Sequence, residues 1–120
     1  MSDMFNLVRI FSDQNGDSHF EDVNIPMKEA GTIGSLSDPQ QATSIIFREV
    51  DPSYDYDFHN APQRQYLVLL DGEIEIETSL GEKRQFRAGE VLLLEDTEGK
   101  GHRTKNILPM KRKSIFIPIP

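Results

Sequence analysis

The stretch Gln65-Tyr66-Leu67-Val68-Leu69-Leu70-Asp71-Gly72-Glu73-Ile74-Glu75-Ile76-Glu77 constrains this chain more than any other. Glu73 to Glu77 alternates strictly, with isoleucines on one face and glutamates on the other. That is a half-buried strand and not a helical stripe. Gln65 to Leu70 is a dense apolar strand, and Asp71-Gly72 between the two is a hairpin turn, because Gly accepts the positive φ such turns need. A hairpin of this kind cannot bury its apolar face alone. The rest of the chain must supply further strands to cover it.

It supplies many. Phe5 to Phe11 and Ser18 to Ile25 read as strands around the turn cluster Asp13 to Asp17. Residues 26–42 are irregular, punctuated by Pro26, Gly31, Gly34 and Pro39, with a short helical turn expected near Pro26 to Ala30. Ala42 to Val50 reads as a strand in which Ile45, Ile46 and Phe47 supply core, ended by Asp51-Pro52. Ser53 to Phe58 alternates aromatic and acidic residues. Lys83 to Phe86, Val91 to Leu94, His102 to Asn106 and Ser114 to Ile119 complete the set. The cluster Lys111-Arg112-Lys113 reads as a solvated turn before the last strand. No segment shows a 3.6-residue apolar period. Short strands with frequent turns predict an all-β sandwich or barrel with little helix.

The 120 residues suit one domain, 1–120, with N-terminal strands over 5–50, a motif-bearing core over 57–106 and a closing strand over 114–119. A net charge of −7 opposes non-specific nucleic-acid binding, so no nucleic-acid partner is expected. The absence of Cys excludes disulfides and thiolate metal sites. No apolar run has signal-peptide or membrane-spanning length, so the expectation is a cytoplasmic protein with no membrane association.

The residues from His59 to Asn106 carry a further pattern. Gln65 lies seven before Gly72, and His59 six before Gln65. Gly89 opens a second block that closes with His102 and Asn106. This arrangement resembles the two motifs of the cupin superfamily, small β-barrels of jelly-roll form. Gly16-Asp17-Ser18-His19-Phe20 and the run from Glu95 to His102 are similar to segments of a subgroup of small bacterial cupins. The resemblance implies a single-domain cupin barrel with an internal pocket, and commonly a homodimer. The strand segments Leu7–Phe11 and Ile115-Phe116-Ile117 are the candidates for that contact.

In cupins, three His and one Glu hold a divalent metal. Here Ala61 stands at the second His and Gln65 at the Glu. The metal ligands that the resemblance implies are therefore His59 and His102, with Gln65 as a neutral donor. Asp57, which shares His59's strand parity, or Glu95 or Asp96 on the adjoining loop, is a candidate for the missing carboxylate. The leading expectation is a small-molecule-binding protein with weak or absent metal. Its ligand, an acid or sugar-like metabolite, would be oriented by His59, Gln65, His102 and Asn106, with Lys100 at the mouth. The alternative is a metal-dependent dioxygenase, isomerase or lyase holding iron, manganese, nickel or zinc on a rebuilt ligand set. The residues alone do not decide whether there is catalysis.

Four other features read as structural. His19 is a lone histidine beside Phe20. Arg64 points away from Gln65 if the strand is regular. Glu73, Glu75 and Glu77 form a solvated comb. Ser18 and His19, being adjacent on a strand, face opposite ways and cannot act as a nucleophile–base pair.

Overall fold

A computed structural model describes residues 4–120 and contains twelve strands. They are β1 (Met4–Ser12), β2 (Ser18–Pro26), β3 (Lys28–Glu29), β4 (Ser35–Leu36), β5 (Ile46–Val50), β6 (Asp55–His59), β7 (Gln65–Leu69), β8 (Glu73–Thr78), β9 (Lys83–Arg87), β10 (Val91–Glu95), β11 (His102–Asn106) and β12 (Arg112–Pro118). Strand makes up 56% of the described residues and helix 3%, so the all-β expectation holds. Among the described residues, no helix is long and apolar enough to cross a membrane.

Two sheets face each other. The larger has the order β2-β1-β10-β7-β12-β5, and the smaller has the order β6-β11-β8-β9. All pairings in them are antiparallel except β1 with β10. The alternation in β7 and β8 works as the sequence predicts. Leu67 and Leu69 face inward from one sheet, Ile74 and Ile76 from the other, joined by Ile10, Leu92 and Leu94. Full burial of such a side chain contributes about 1.5–3 kcal/mol, and this layer is what holds the sheets together. Outward Glu75 meets Lys105 at 3.6 Å, and Glu73 and Glu77 stand opposite Arg87 and Lys83. The glutamate comb is a solvated, cross-paired outer face.

Three expectations need correction. Pro26 to Ala30 forms no helical turn; Lys28 and Glu29 pair with Ser35 and Leu36, and one turn of 3-10 helix spans Gly31–Ile33. Residues 42–45 are outside any strand, and Ile45, Ile46 and Phe47 are exposed, Phe47 by 75%, so they are not core. The reason is topological: β5 is an edge strand paired only with β12. The third concerns Arg112. It is not in a solvated turn but opens β12 facing inward, 1% exposed.

The chain passes between the sheets next to the candidate site, and Gly101 makes that crossing possible. Its φ is +73°, and a Cβ there would lie 2.1 Å from the carbonyl oxygen of His59. Gly81 also has positive φ, but a Cβ there meets nothing. Gly101→Ala is therefore expected to lower stability by more than the roughly 1–3 kcal/mol of backbone strain alone. Gly81→Ala is expected to stay within that range. Urea unfolding of the two variants compares them directly.

Candidate functional site

His59 ends β6 and His102 begins β11, directly opposite each other in register. Opposed residues of an antiparallel pair share a face. His102 is buried, so both rings point between the sheets, with centroids 4.6 Å apart. The register between β6 and β11 then shifts, so that Thr104 pairs with Tyr56. This irregularity brings Tyr56 onto the His59 face although the two are three residues apart, which a regular strand would forbid. The Tyr56 ring stacks on His59 at 3.7 Å with an interplanar angle of 10°, and Tyr54 meets Tyr56 edge-on at 6.4 Å.

Both imidazoles are held by Nδ1. His102 Nδ1 lies 2.5 Å from Asp96 Oδ2, a pair shut from solvent. His59 Nδ1 lies 2.7 Å from the carbonyl oxygen of Asp57 and must donate to it, since a carbonyl only accepts. Each ring's Nε2 has no protein partner among the described residues. Burial pushes the pKa of His59 below its ordinary value, against the pull of the Asp57 carbonyl; the charges of His102 and Arg48 push it the same way. His59 thus offers a neutral Nε2 lone pair.

The expected carboxylates separate. Asp96 comes to His102, but as a partner of its Nδ1 and with its other oxygen, Oδ1, buried and unpaired. Asp57 loses parity with His59 through the irregular register, and its exposed carboxylate caps the Phe58 amide. Glu95 faces the outside of the large sheet. Burial pushes its pKa up, but hydrogen bonds from Arg9 and Arg64 outweigh this and hold it below the usual range. Gln65 faces inward from the opposite sheet, buried, with no side-chain hydrogen bond among the described residues. Ala61 belongs to the apolar core.

Two expected ligand-binding residues have other duties. Lys100 bonds Asp17 at 2.9 Å, and its amide bonds Gly16, so it clamps the loop after β10 to the turn between β1 and β2 and does not reach over the pocket. Asn106 lies at the other end of β11, about 13 Å along the strand from His102. Its amide nitrogen faces the carbonyls of Asp51, Pro52 and Met110, and its oxygen accepts from Arg112 Nε. It is a structural tie. Ser18 donates to the Gly101 carbonyl and accepts from the Ser79 amide, so it fixes the crossing beside His102. His19 bonds Asp13 and packs on Phe11, as a structural histidine would.

Four inward residues were not singled out as site residues from the sequence: Tyr54, Tyr56, Arg48 and Arg112. The aromatic–acidic alternation of Ser53 to Phe58 signalled one buried face, but nothing local marked the two arginines as interior.

No protein-family model matches the chain, and no curated protein matches it. Solved structures do. The cupin domain of Cnp3 from Schizosaccharomyces pombe superimposes with a TM-score of 0.52 over 98% of this chain and 85% of that one, at 11% identity. The chain has the cupin fold. NMB1881 from Neisseria meningitidis (TM-score 0.49, 18% identity, 69% of this chain and 88% of that one) is also similar. So is the capsular polysaccharide assembling protein CapF from Staphylococcus aureus (TM-score 0.46, 11% identity, 92% of this chain and 29% of that one). The fold rests on the Cnp3 domain.

The cupin fold raises the question of a metal. Among the described residues, no three His, Cys, Asp or Glu side chains come together in a metal-holding group. The donors here are two imidazoles, and the nearest carboxylate is engaged with one of them. Such a set leaves a divalent charge uncompensated and does not fit a tightly held ion.

The environment of His59 makes a pH prediction. Its folded pKa lies below the unfolded value near 6.5, so it stabilises the fold fully only above that pH. As pH falls, the unfolded chain takes up the proton first, and the contribution is lost as pH passes through the folded pKa. NMR titration of the ring protons should place His59 below 6.5, and His59→Asn should flatten the pH dependence of Tm in that window.

Proposed function

We propose that this cupin binds a small polar molecule between its sheets, with His59 and His102 orienting it. One observation supports this above others: both rings are anchored through Nδ1, so both Nε2 atoms are pre-oriented and left unbonded on adjacent residues. A neutral Nε2 accepts from a ligand hydroxyl or N–H. Tyr56, stacked on His59, offers an aromatic wall of the kind that packs against a sugar ring or planar metabolite. Gln65 faces the same interior from the other sheet.

A ligand would have a way in at the sheet edges. Among the described residues, neither β5 nor β6 has a partner on its outer side, and Ile46 and Tyr56, on these edges, are 43% and 52% exposed. A ligand would enter there. The reading is of a binding module, and no catalytic residue is assigned.

A thermal-shift screen of hydroxylated metabolites and small acids tests it. Compounds that raise Tm in the parent protein should lose that effect in His59→Ala and His102→Ala, both of which should still fold. Stabilisation that persists in both variants would refute the assignment. Metal analysis of protein purified without chelator should give well under one divalent ion per chain; a stoichiometric ion absent from His102→Ala would favour a metal-dependent enzyme instead.

We also propose a homodimer through the outer face of the large sheet. Phe5, Leu7, Tyr66, Val68, Val91 and Ile117 line an apolar groove of about 350 Å³ there, with Met27 and Leu36 at its rim. Ile115 and Ile117 face outward, as expected of a contact strand, while Phe116 packs on the core. Sedimentation should show a dimer that Ile117→Glu converts to monomer; a monomeric parent protein would overturn this.

A further inference from the structure

Arg112 and Arg48 are the interior cations that no part of the fold accounts for. They lie on adjacent strands, with Arg48 opposite Ser114 and Arg112 two residues before it, so they are diagonal neighbours on one inward face. The Arg112 stem passes over Gly72, where a Cβ would sit 3.1 Å from its Cγ and Cδ. Its Nε donates to Asn106 Oδ1 at 2.9 Å, yet Nη1 and Nη2 are buried with no partner among the described residues. Arg48 Nε donates to Ser114 Oγ at 3.1 Å.

Neither guanidinium forms an ion pair among the described residues, whereas Arg9, Arg64, Arg84 and Arg103 all do. Their neighbours are aromatic. Tyr54 lies 5.4 Å from the Arg112 guanidinium carbon and 5.6 Å from that of Arg48, and Phe116 lies 4.4 Å from the latter. Cation–π contacts contribute about 0.5–2 kcal/mol each, while an unpaired buried charge costs several. Two positive charges side by side repel as well. Burial and the neighbouring Arg48 lower the Arg112 pKa to about 10, which still leaves it charged at neutral pH. A chain of net charge −7 has thus kept two cations on one interior wall without an ion-pair partner among the described residues; Asp71 acts on Arg112 only from a distance.

We infer that Arg48 and Arg112 form an oxyanion site, taking a carboxylate or phosphate group of a small molecule. Paired guanidinium groups present several N–H donors in the planar geometry such groups accept. Ser114 and Asn106 hold the two stems in place. Arg48, only half buried and beside the open β5 edge, is the point of entry, and Tyr54 is the side chain an entering anion displaces to reach Arg112. The row Tyr54–Tyr56–His59 links this site to the histidines. That the same molecule reaches both rests on the function proposed above; the anion site itself does not.

The test is thermal unfolding in inorganic phosphate and in acetate, each against sodium chloride at equal ionic strength. One or both oxyanions should raise Tm by several degrees, and which one does identifies phosphate or carboxylate as the group taken. The rise should disappear in Arg48→Gln and Arg112→Met. Arg112→Met should be at least as stable as the parent without anion, because an apolar side chain replaces an unpaired charge. No rise with either oxyanion, or a rise that survives both substitutions, would overturn the site. A parent-like rise in His102→Ala would establish it independently of the histidines. Histidine-dependent screen hits without any oxyanion effect would leave the proposed function standing and remove this site.

Discussion

The buried hydrogen bond between Asp96 and His102 joins two points where the chain changes sheets. Asp96 directly follows β10 of the large sheet, and His102 opens β11 of the small one. A second crossing, from β6 to β7, runs alongside: the Ala61 amide and the Asn60 side chain both donate to the Asp96 carbonyl. Ser18, Ser79 and Gly101 tie the first hairpin to the same place. The histidines therefore sit on a junction braced from three sides. A pair of imidazoles on a single free strand end would rotate; here their Nδ1 atoms are fixed, and only Nε2 is free to act. The unpaired Asp96 Oδ1 costs stability, on the order of 1–3 kcal/mol for a buried unsatisfied group. The junction tolerates that cost because so many other bonds converge on it.

Much of this was legible in the residues. Strict alternation in β8 and the Asp71-Gly72 turn fixed which faces are inside, since a strand's side-chain period is two. The residues from His59 to Asn106 carried the resemblance to cupins, and the fold agrees with it. What alternation could not reveal was its own failure. The register shift in β6 moves Asp57 off the His59 face and puts Tyr56 on it, and no residue in Asp55 to His59 announces a bulge. Composition misled in β5 and β12 for a related reason. Ile46 and Phe47 are apolar and exposed because β5 is an edge, and Arg112 is charged and buried because the strand begins two residues before the expected start at Ser114. Edge position and strand start are properties of the whole sheet, not of the local sequence.

At Ala61, where the resemblance of the sequence to cupins implies a histidine, this chain places a small apolar residue that joins the core with Leu67 and Leu94. Its amide serves the Asp96 carbonyl instead. Gln65 keeps its inward position but brings no charge. Neither change disturbs the frame, because the strands are positioned by the Ile and Leu layer and not by bonds to a metal. The fold can therefore persist while the interior chemistry shifts from charged ligands to neutral hydrogen-bonding groups.

The polarity of that interior then follows a gradient. At the Asp96 end stand neutral or acid-paired imidazoles, with His59 disfavoured from protonation by burial and by the charge of Arg48. At the Asn106 end stand two guanidinium groups that form no ion pair among the described residues. On the binding proposed above, a field of this shape would orient a molecule that is anionic at one end and hydroxylated at the other, and it would disfavour a cation at the arginine end. The acidic outer surface does not cancel it, since exposed charges are screened over about 8–10 Å in salt while buried ones are screened far less. An anion entering at β5 would also stabilise protonated His59, coupling occupancy of the arginine end to the charge state of the histidine end. The two ends would then be coupled through electrostatics alone, without any movement of the sheets.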